Sequence, residues 1–302
     1  MAIATLAGRR IAFVGAISAA VAALVIGGCS SGTSGHMASS TSGTSAASTA
    51  PGTSGMPGMT EPMPAGDGLS ASESGFTLVP GGTTITPVAA NTFTFRITAP
   101  DGVPVTRFLP EQTKLMHFYL IRSDLTGFAH LHPTMAADGT WSLTLPAMTP
   151  GDWRAYTKFT ARQASDVIVP LVLSTPLTVP GAATTAPIPP PSNTASVDGY
   201  TVTVSGQAAA SQHNPLTLDF RSNGQPVTDL QPYLDTYAHV TAIRSGNLAF
   251  AHLHPSNPVN GDHGGPTLSI ESAFPASGNW RLFIEFQTAG TVHTAETTIH
   301  VG

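Results

Sequence analysis

The stretch "KLMHFYLIRSDLTGFAHLHP" (Lys114–Pro133) decides how the chain is read. Its first half is rich in aromatic and branched residues, "SDLT" is polar and turn-like, and an apolar run resumes after it. This is the pattern of a β-hairpin. With Ser123–Thr126 as a four-residue loop, Arg122 faces Gly127, Tyr119 faces His130 and His117 faces His132. Side chains alternate along a strand, so His130 and His132 share a face at about 6.5–7 Å between Cα atoms. His117 lies on that face too, about 4.5–5.5 Å from its partner across the ladder. A metal ion at about 2 Å from each ring nitrogen is within reach of all three. A register shifted by one residue would place His117 on the opposite face and remove the site.

The hairpin is spelled twice. Adding 122 to each position lays Asp101–Pro133 on "NGQPVTDLQPYLDTYAHVTAIRSGNLAFAHLHP" (Asn223–Pro255) without a gap, and "FAHLHP" is identical at Phe128–Pro133 and Phe250–Pro255. Farther on, "GDWRAYTKF" (Gly151–Phe159) matches "GNWRLFIEF" (Gly278–Phe286). The chain is a tandem duplication, and the second triplet is His239, His252 and His254. Met116, Phe118 and Leu120 on the opposite strand face become Ala238, Val240 and Ala242. They drift as core positions do when apolar character is the main requirement, while the histidines stay fixed.

The remaining pattern is also that of strands. "NTFTFRIT", "TWSLTLP" and "DWRAYTKF" are short and bounded by Gly, Pro, Asp and Asn, and outside the amino terminus no amphipathic helix is visible. The expected fold is all-β: two small antiparallel sandwiches in tandem, immunoglobulin-like or cupredoxin-like, after a disordered tether. The expected boundaries are 1–28 for a signal peptide, 29–73 for the tether, 74–179 for the first repeat, 180–195 for a linker and 196–302 for the second repeat. The linker overlaps the Pro/Ala/Thr-rich stretch "STPLTVPGAATTAPIPPPSN" (Ser174–Asn193), whose prolines make it stiff and extended.

Only 10% of the 302 residues are charged and the net charge is −5, which suits an exported protein and excludes nucleic acid as a partner. Arg9 and Arg10 precede the apolar run Ile11–Ile26, followed by "GGCS". That is a secretory signal, shorter than the roughly 20 residues of a membrane span. Ile26-Gly27-Gly28-Cys29 resembles a bacterial lipobox, which implies lipid on the Cys29 thiol and a membrane-anchored, extracytoplasmic protein. Cys29 is the only cysteine, so the domains hold together without disulfides. Residues 30–66 are small and polar and read as disordered. Within them Met56, Met59 and Met63 supply thioethers, soft ligands that select Cu(I).

Three imidazoles suit Cu(II), Zn(II) or Ni(II). The affinity order favours copper, with zinc as the alternative. His263 is a candidate fourth ligand in the second repeat, or a solvent-facing loop residue. His36, His213, His293 and His300 have no counterpart in the other repeat and read as structural or solvent-facing. Arg122 and Arg244, at the two hairpin mouths, are expected to fix loops by hydrogen bonds, and Trp153 and Trp280 to anchor the cores.

The pattern "MHFYLIRSDLTGFAHLHP" with "YAHVTAIRSGNLAFAHLHP" resembles exported proteins and lipoproteins of actinobacteria. In these a His, an Arg after the strand and Phe-x-His-x-His-Pro recur in one or two β-domains. The resemblance covers most of both repeats and implies copper or heavy-metal handling in the envelope, with an envelope metal transporter or metalloprotein as partner. Periplasmic copper chaperones of cupredoxin-like fold are a more distant likeness. They carry a His-x-Met pair where both repeats here have His-x-His. Three functions follow as expectations: a lipid-anchored metal-binding protein with one three-histidine site per repeat; a surface lipoprotein whose sandwiches bind a protein or the wall; and a metallo-enzyme. The last lacks a duplicated general base or a nucleophile motif, and a non-enzymatic role is expected.

Overall fold

The computed structural model describes residues 66–87, 91–163 and 166–302, and every regular element in them is a β-strand. Cys29, the signal segment, His36 and Met56, Met59 and Met63 lie outside the described residues. The first repeat contains β1 (Ser72–Glu73), β2 (Phe76–Pro80), β3 (Asn91–Thr98), β4 (Phe108–Leu109), β5 (His117–Arg122), β6 (Ala129–Leu131), β7 (Thr134–Met135), β8 (Trp141–Leu145), β9 (Gly151–Arg162) and β10 (Ile168–Val179). They form two antiparallel sheets, ordered β1-β2-β3-β8-β7 and β10-β9-β5-β6, with β4 on β9. Phe93, Phe95, Phe118, Trp141 and Phe159 fill the space between them. This is the expected sandwich.

The second repeat contains β11 (Thr194–Val197), β12 (Tyr200–Ser205), β13 (His213–Ser222), β14 (Gln225–Pro226), β15 (Ala238–Arg244), β16 (Phe250–Pro255), β17 (Thr267–Ala273), β18 (Gly278–Thr288) and β19 (Thr291–Val301). Here one ladder runs through both layers, because β16 pairs with β15 through Leu253 and with β17 from His254 onward. "FAHLHP" is thus a corner strand that changes sheets. In the first repeat the same corner is broken into β6 and β7, with His132 and Pro133 between them.

The hairpin register is the expected one, with Tyr119 opposite His130 and Phe118 opposite Leu131. Its loop closes one residue early. The Arg122 N–H donates to the Thr126 carbonyl (3.0 Å), and Gly127 takes a left-handed conformation against Trp153. Arg122 also donates to Asp124 and to the Pro150 and Thr184 carbonyls (2.9, 2.9 and 2.5 Å). Arg244 donates to the Ser277 carbonyl, the equivalent of Pro150 (2.8 Å). Both arginines fix loops as expected. Trp153 and Trp280 are buried and donate to the equivalent carbonyls of Thr149 and Ala276 (both 3.0 Å).

Ser174–Val179, at the start of the Pro/Ala/Thr-rich stretch but inside the expected first repeat, completes β10 along β9, with Leu177 and Val179 facing the core. One composition-based reading is corrected. The end of the expected tether is folded: Ala71 and Ser70 accept from Leu78 and Ser174 (2.8 and 2.9 Å), and Asp67 accepts from Phe250 (2.8 Å). These contacts use backbone groups, so polar side chains gave no sign of them.

The two repeats pack on the histidine faces of β5–β9 and β15–β18. Tyr119, Ile121, Tyr156 and Val172 of the first meet Ile243, Phe250 and Phe283 of the second in a cluster of their own. Every residue of β5 is therefore buried, one face by its own sandwich and the other by the second repeat.

Candidate metal centre

The first triplet converges. One ligand nitrogen each from His117, His130 and His132 lies within 4.8 Å of the others. His117 is fully buried and the other two are half-buried. The rings of His130 and His132 have centroids 4.7 Å apart, and that of His117 lies 5.2 Å and 5.1 Å from them. The second repeat adds His239, whose ring lies 5.8 Å from that of His130 and 6.3 Å from that of His117. The faces are apposed, so the duplicated histidines meet at one interface. The backbone of His252 pairs with Thr241 as expected. His263 is exposed on the loop between β16 and β17 and lies outside the converged group. His213 and His300 are exposed, and His293 is bonded to Asp198 and Thr288 (2.8 and 3.0 Å).

The hydrogen bonds set the tautomers. Nε2 of His117 lies 3.1 Å from the Glu111 carbonyl, and Nε2 of His239 lies 2.8 Å from the carbonyl of Tyr233, its sequence equivalent. A carbonyl only accepts, so each Nε2 carries the proton and, in the neutral ring, Nδ1 presents a lone pair. Nδ1 of His130 lies 2.7 Å from Glu285 Oε2, and its Nε2 lies 2.9 Å from Nδ1 of His117. If Glu285 is ionised, Nδ1–H of His130 donates to it and two lone pairs face each other at 2.9 Å. That arrangement needs a cation between them. If Glu285 holds a proton, it donates to His130, which donates to His117, which donates to Glu111. Every group in the row is then satisfied.

Burial decides which state the metal-free protein adopts. It lowers His117 to about 2 and His130 and His132 to about 3. It pushes Glu285 up to about 7. Below about pH 7 the proton therefore rests on the carboxyl and not on His130, and the imidazoles are neutral, the form that coordinates metal. His132 Nε2 is buried with no hydrogen-bond partner, and its ring borders an open surface depression lined by Leu131, Thr134 and Ser142. The donor set fits a borderline transition metal, with histidine second nitrogens held by a carbonyl and a carboxylate in the manner of metal-ligating imidazoles.

Five residues around the centre were not singled out in the sequence as part of a site. Glu285 stands across the ladder from His239, and Lys158 occupies the equivalent place across from His117. Lys158 and Thr160 both bond the buried Glu111 carboxylate, and Gln112 bonds His254 Nδ1 (2.9 Å). The visible signal was a charge in an otherwise apolar strand, Lys in "YTKF" and Glu in "FIEF".

No curated protein matches the chain. Among solved structures it is similar to the Escherichia coli adhesin FdeC (13% identity, TM-score 0.24), over 76% of this chain and 65% of that one. Invasin, described as a bacterial integrin-binding protein, matches at 11% identity and TM-score 0.22 over 75% of this chain and 38% of its own. The N-terminal Ig1-2 module of the Drosophila receptor protein tyrosine phosphatase DLAR matches at 10% identity and TM-score 0.20, over 75% and 98%. The chain thus spans less than two thirds of either bacterial protein. Residues 71–175 and 195–302, more than half of the sequence and one segment in each repeat, match a domain of unknown function, and the chain belongs to that family, DUF8832.

Proposed function

We propose that this chain is a metal-binding protein of the cell envelope that sequesters or transfers a transition-metal ion held by His117, His130 and His132. Copper is the favoured ion, with zinc as the alternative. The carrying observation is the convergence of three neutral imidazole nitrogens within 4.8 Å. A bound ion would polarise the coordinating rings and replace a proton in the row from Glu285 to His117. The role is binding and not catalysis, with the chain held at the membrane by lipid on Cys29 and the Met-rich arm as a Cu(I) donor. A transporter or metalloprotein of the envelope is the partner this role calls for.

A second reading is supported by the carbonyl bonds of His117 and His239: the histidines are packing groups, and the sandwiches are protein- or wall-interaction modules. The deciding experiment titrates the full chain with Cu(II), Cu(I) and Zn(II), beside a variant carrying His117→Ala, His130→Ala and His132→Ala. Binding lost in a variant that keeps its far-UV spectrum supports the metal reading. An unmodified chain that binds none of the ions above background overturns it in favour of packing.

A further inference from the structure

Three histidines leave a transition-metal ion with an open coordination position, and the path from that position to solvent decides how the ion is exchanged. Two of the three ligands are sealed. His117 is 1% exposed and the side chain of His130 is fully buried. The Tyr119 ring stacks on that of His130, with centroids 4.4 Å apart and planes within 19°. The second repeat covers the face from which Glu285 reaches His130. His132 differs from both. It lines an open surface depression of about 370 Å³, and its Nε2 is buried without a hydrogen-bond partner.

The opening has its cause in the ladder. β6 pairs with β5 as far as Leu131, and β7 pairs with β8 from Thr134, so His132 and Pro133 belong to neither sheet. In the second repeat the same corner is zipped shut, because His254 pairs with Glu271 and Pro255 with Ile270. The depression is also lined by Thr92, Thr134, Ser142 and Thr144 and, among the described residues, by no charged side chain. Hydroxyls are neutral and weak ligands. They can replace part of the hydration shell of a passing cation without trapping it, and a route must bind its ion weakly enough to let it leave.

The geometry points to this depression as the mouth of the centre: the ion enters and leaves past His132, and the nitrogen or sulfur donor that takes it over reaches it from the same side. This rests on the metal-binding reading above and deepens it. A mouth acts on rates. Narrowing it slows entry and exit alike and leaves their ratio, the affinity, unchanged.

The test fills the mouth from positions that face solvent. Thr134 and Thr144 are both exposed, and Thr134→Phe and Thr144→Phe are made separately in the full chain, with far-UV spectra to confirm the fold. Stopped-flow fluorescence follows uptake of Cu(II) and of Zn(II), absorbance follows release to 1,10-phenanthroline, and calorimetry gives Kd. Each Phe variant should slow uptake and release together by about 10-fold or more, with Kd kept within about twofold, since affinity is the ratio of the two rates. Thr134→Ala and Thr144→Ala, which keep the mouth open, should leave both rates and Kd unchanged. Unaltered rates in the Phe variants would overturn this inference while leaving metal binding intact. Loss of affinity in the Ala variants would overturn it as well, because the hydroxyls would then be ligands and not a passage. An unmodified chain that takes up neither ion would instead overturn the metal reading itself.

Discussion

Phe128 of the first repeat lies flat on Phe283 of the second, with ring centroids 4.1 Å apart and planes within 9°. This stack sits in the cluster that holds the two histidine faces together. The centre therefore depends on interdomain packing as much as on the hairpin that carries His117. Phe283 is fully buried, and Phe283→Ala leaves a cavity at a site both repeats enclose. The expected cost is about 3–5 kcal/mol, from lost apolar burial and the residual void. Urea denaturation followed by tryptophan fluorescence measures it. A loss below about 1 kcal/mol would mean that the repeats are not held together by this contact.

Two glycines at the mouths of the equivalent hairpins give a matched pair. Gly151 has φ +136°, and a Cβ there would lie 2.9 Å from Arg122 Nε. Gly278 has φ +123°, with Arg244 Nη2 at 3.2 Å. Both conformations are strained for any side chain, but only the first also displaces a guanidinium that ties Asp124, Pro150 and Thr184 together. Gly151→Ala should therefore cost more than Gly278→Ala, by about 1 kcal/mol on top of a shared cost of about 1–3 kcal/mol. Thermal melts of the two variants give the order, and a reversed order would show that the Arg122 network is dispensable.

Lys158, Glu111 and Thr160 form a buried polar group beside the centre. Removing one partner of a buried pair leaves an uncompensated charge, at about 3–5 kcal/mol, whereas removing both costs much less. Lys158→Met is expected to lose about that much stability, and the double variant Lys158→Met, Glu111→Gln to recover most of it. A double-mutant cycle by denaturant unfolding reads the coupling. Additive losses would mean that the pair contributes nothing as a pair.

The hairpin was readable because its register follows from loop length and alternation: Tyr119 opposite His130 comes from the letters alone. The duplication was readable for the same reason, and it located the core, since Met116, Phe118 and Leu120 drift together and all are buried. What covers the other face of β5 was not readable. Tyr119 and Ile121 announce that the face is buried, but apolar surface is non-directional and does not name its partner. The arrival of Glu285 at His130 depends on that docking, so the centre's charged partner could not be placed from spacing within a repeat. The fold of Asp67–Ser70 was hidden for a different reason, because its hydrogen bonds to the two repeats are made by main-chain groups that every residue carries.

The buried imidazoles fix how stability of the metal-free chain changes with pH. In the unfolded chain they take up protons below about 6.5. In the folded chain burial lowers His117 to about 2 and His239 to about 4. Between these values the unfolded state binds more protons, so their contribution is present above about pH 6.5 and is lost as pH falls. Glu285 acts in the opposite sense, because burial raises it from 4.5 to about 7. Its contribution is present below about pH 4.5 and lost as pH rises toward 7. From pH 6.5 to 5 each imidazole costs about 2 kcal/mol and the carboxyl returns about 2 kcal/mol. With two fully buried imidazoles against one carboxyl, the net loss is about 2 kcal/mol, and His130 adds to it. Unfolding in urea at pH 5.0 and 6.5 should show this loss in the metal-free chain. In Glu285→Gln, which lacks the opposing group, the loss should be larger. Equal stability at the two pH values would mean that the histidines are solvated, and with that the neutral, pre-set donor group would be gone.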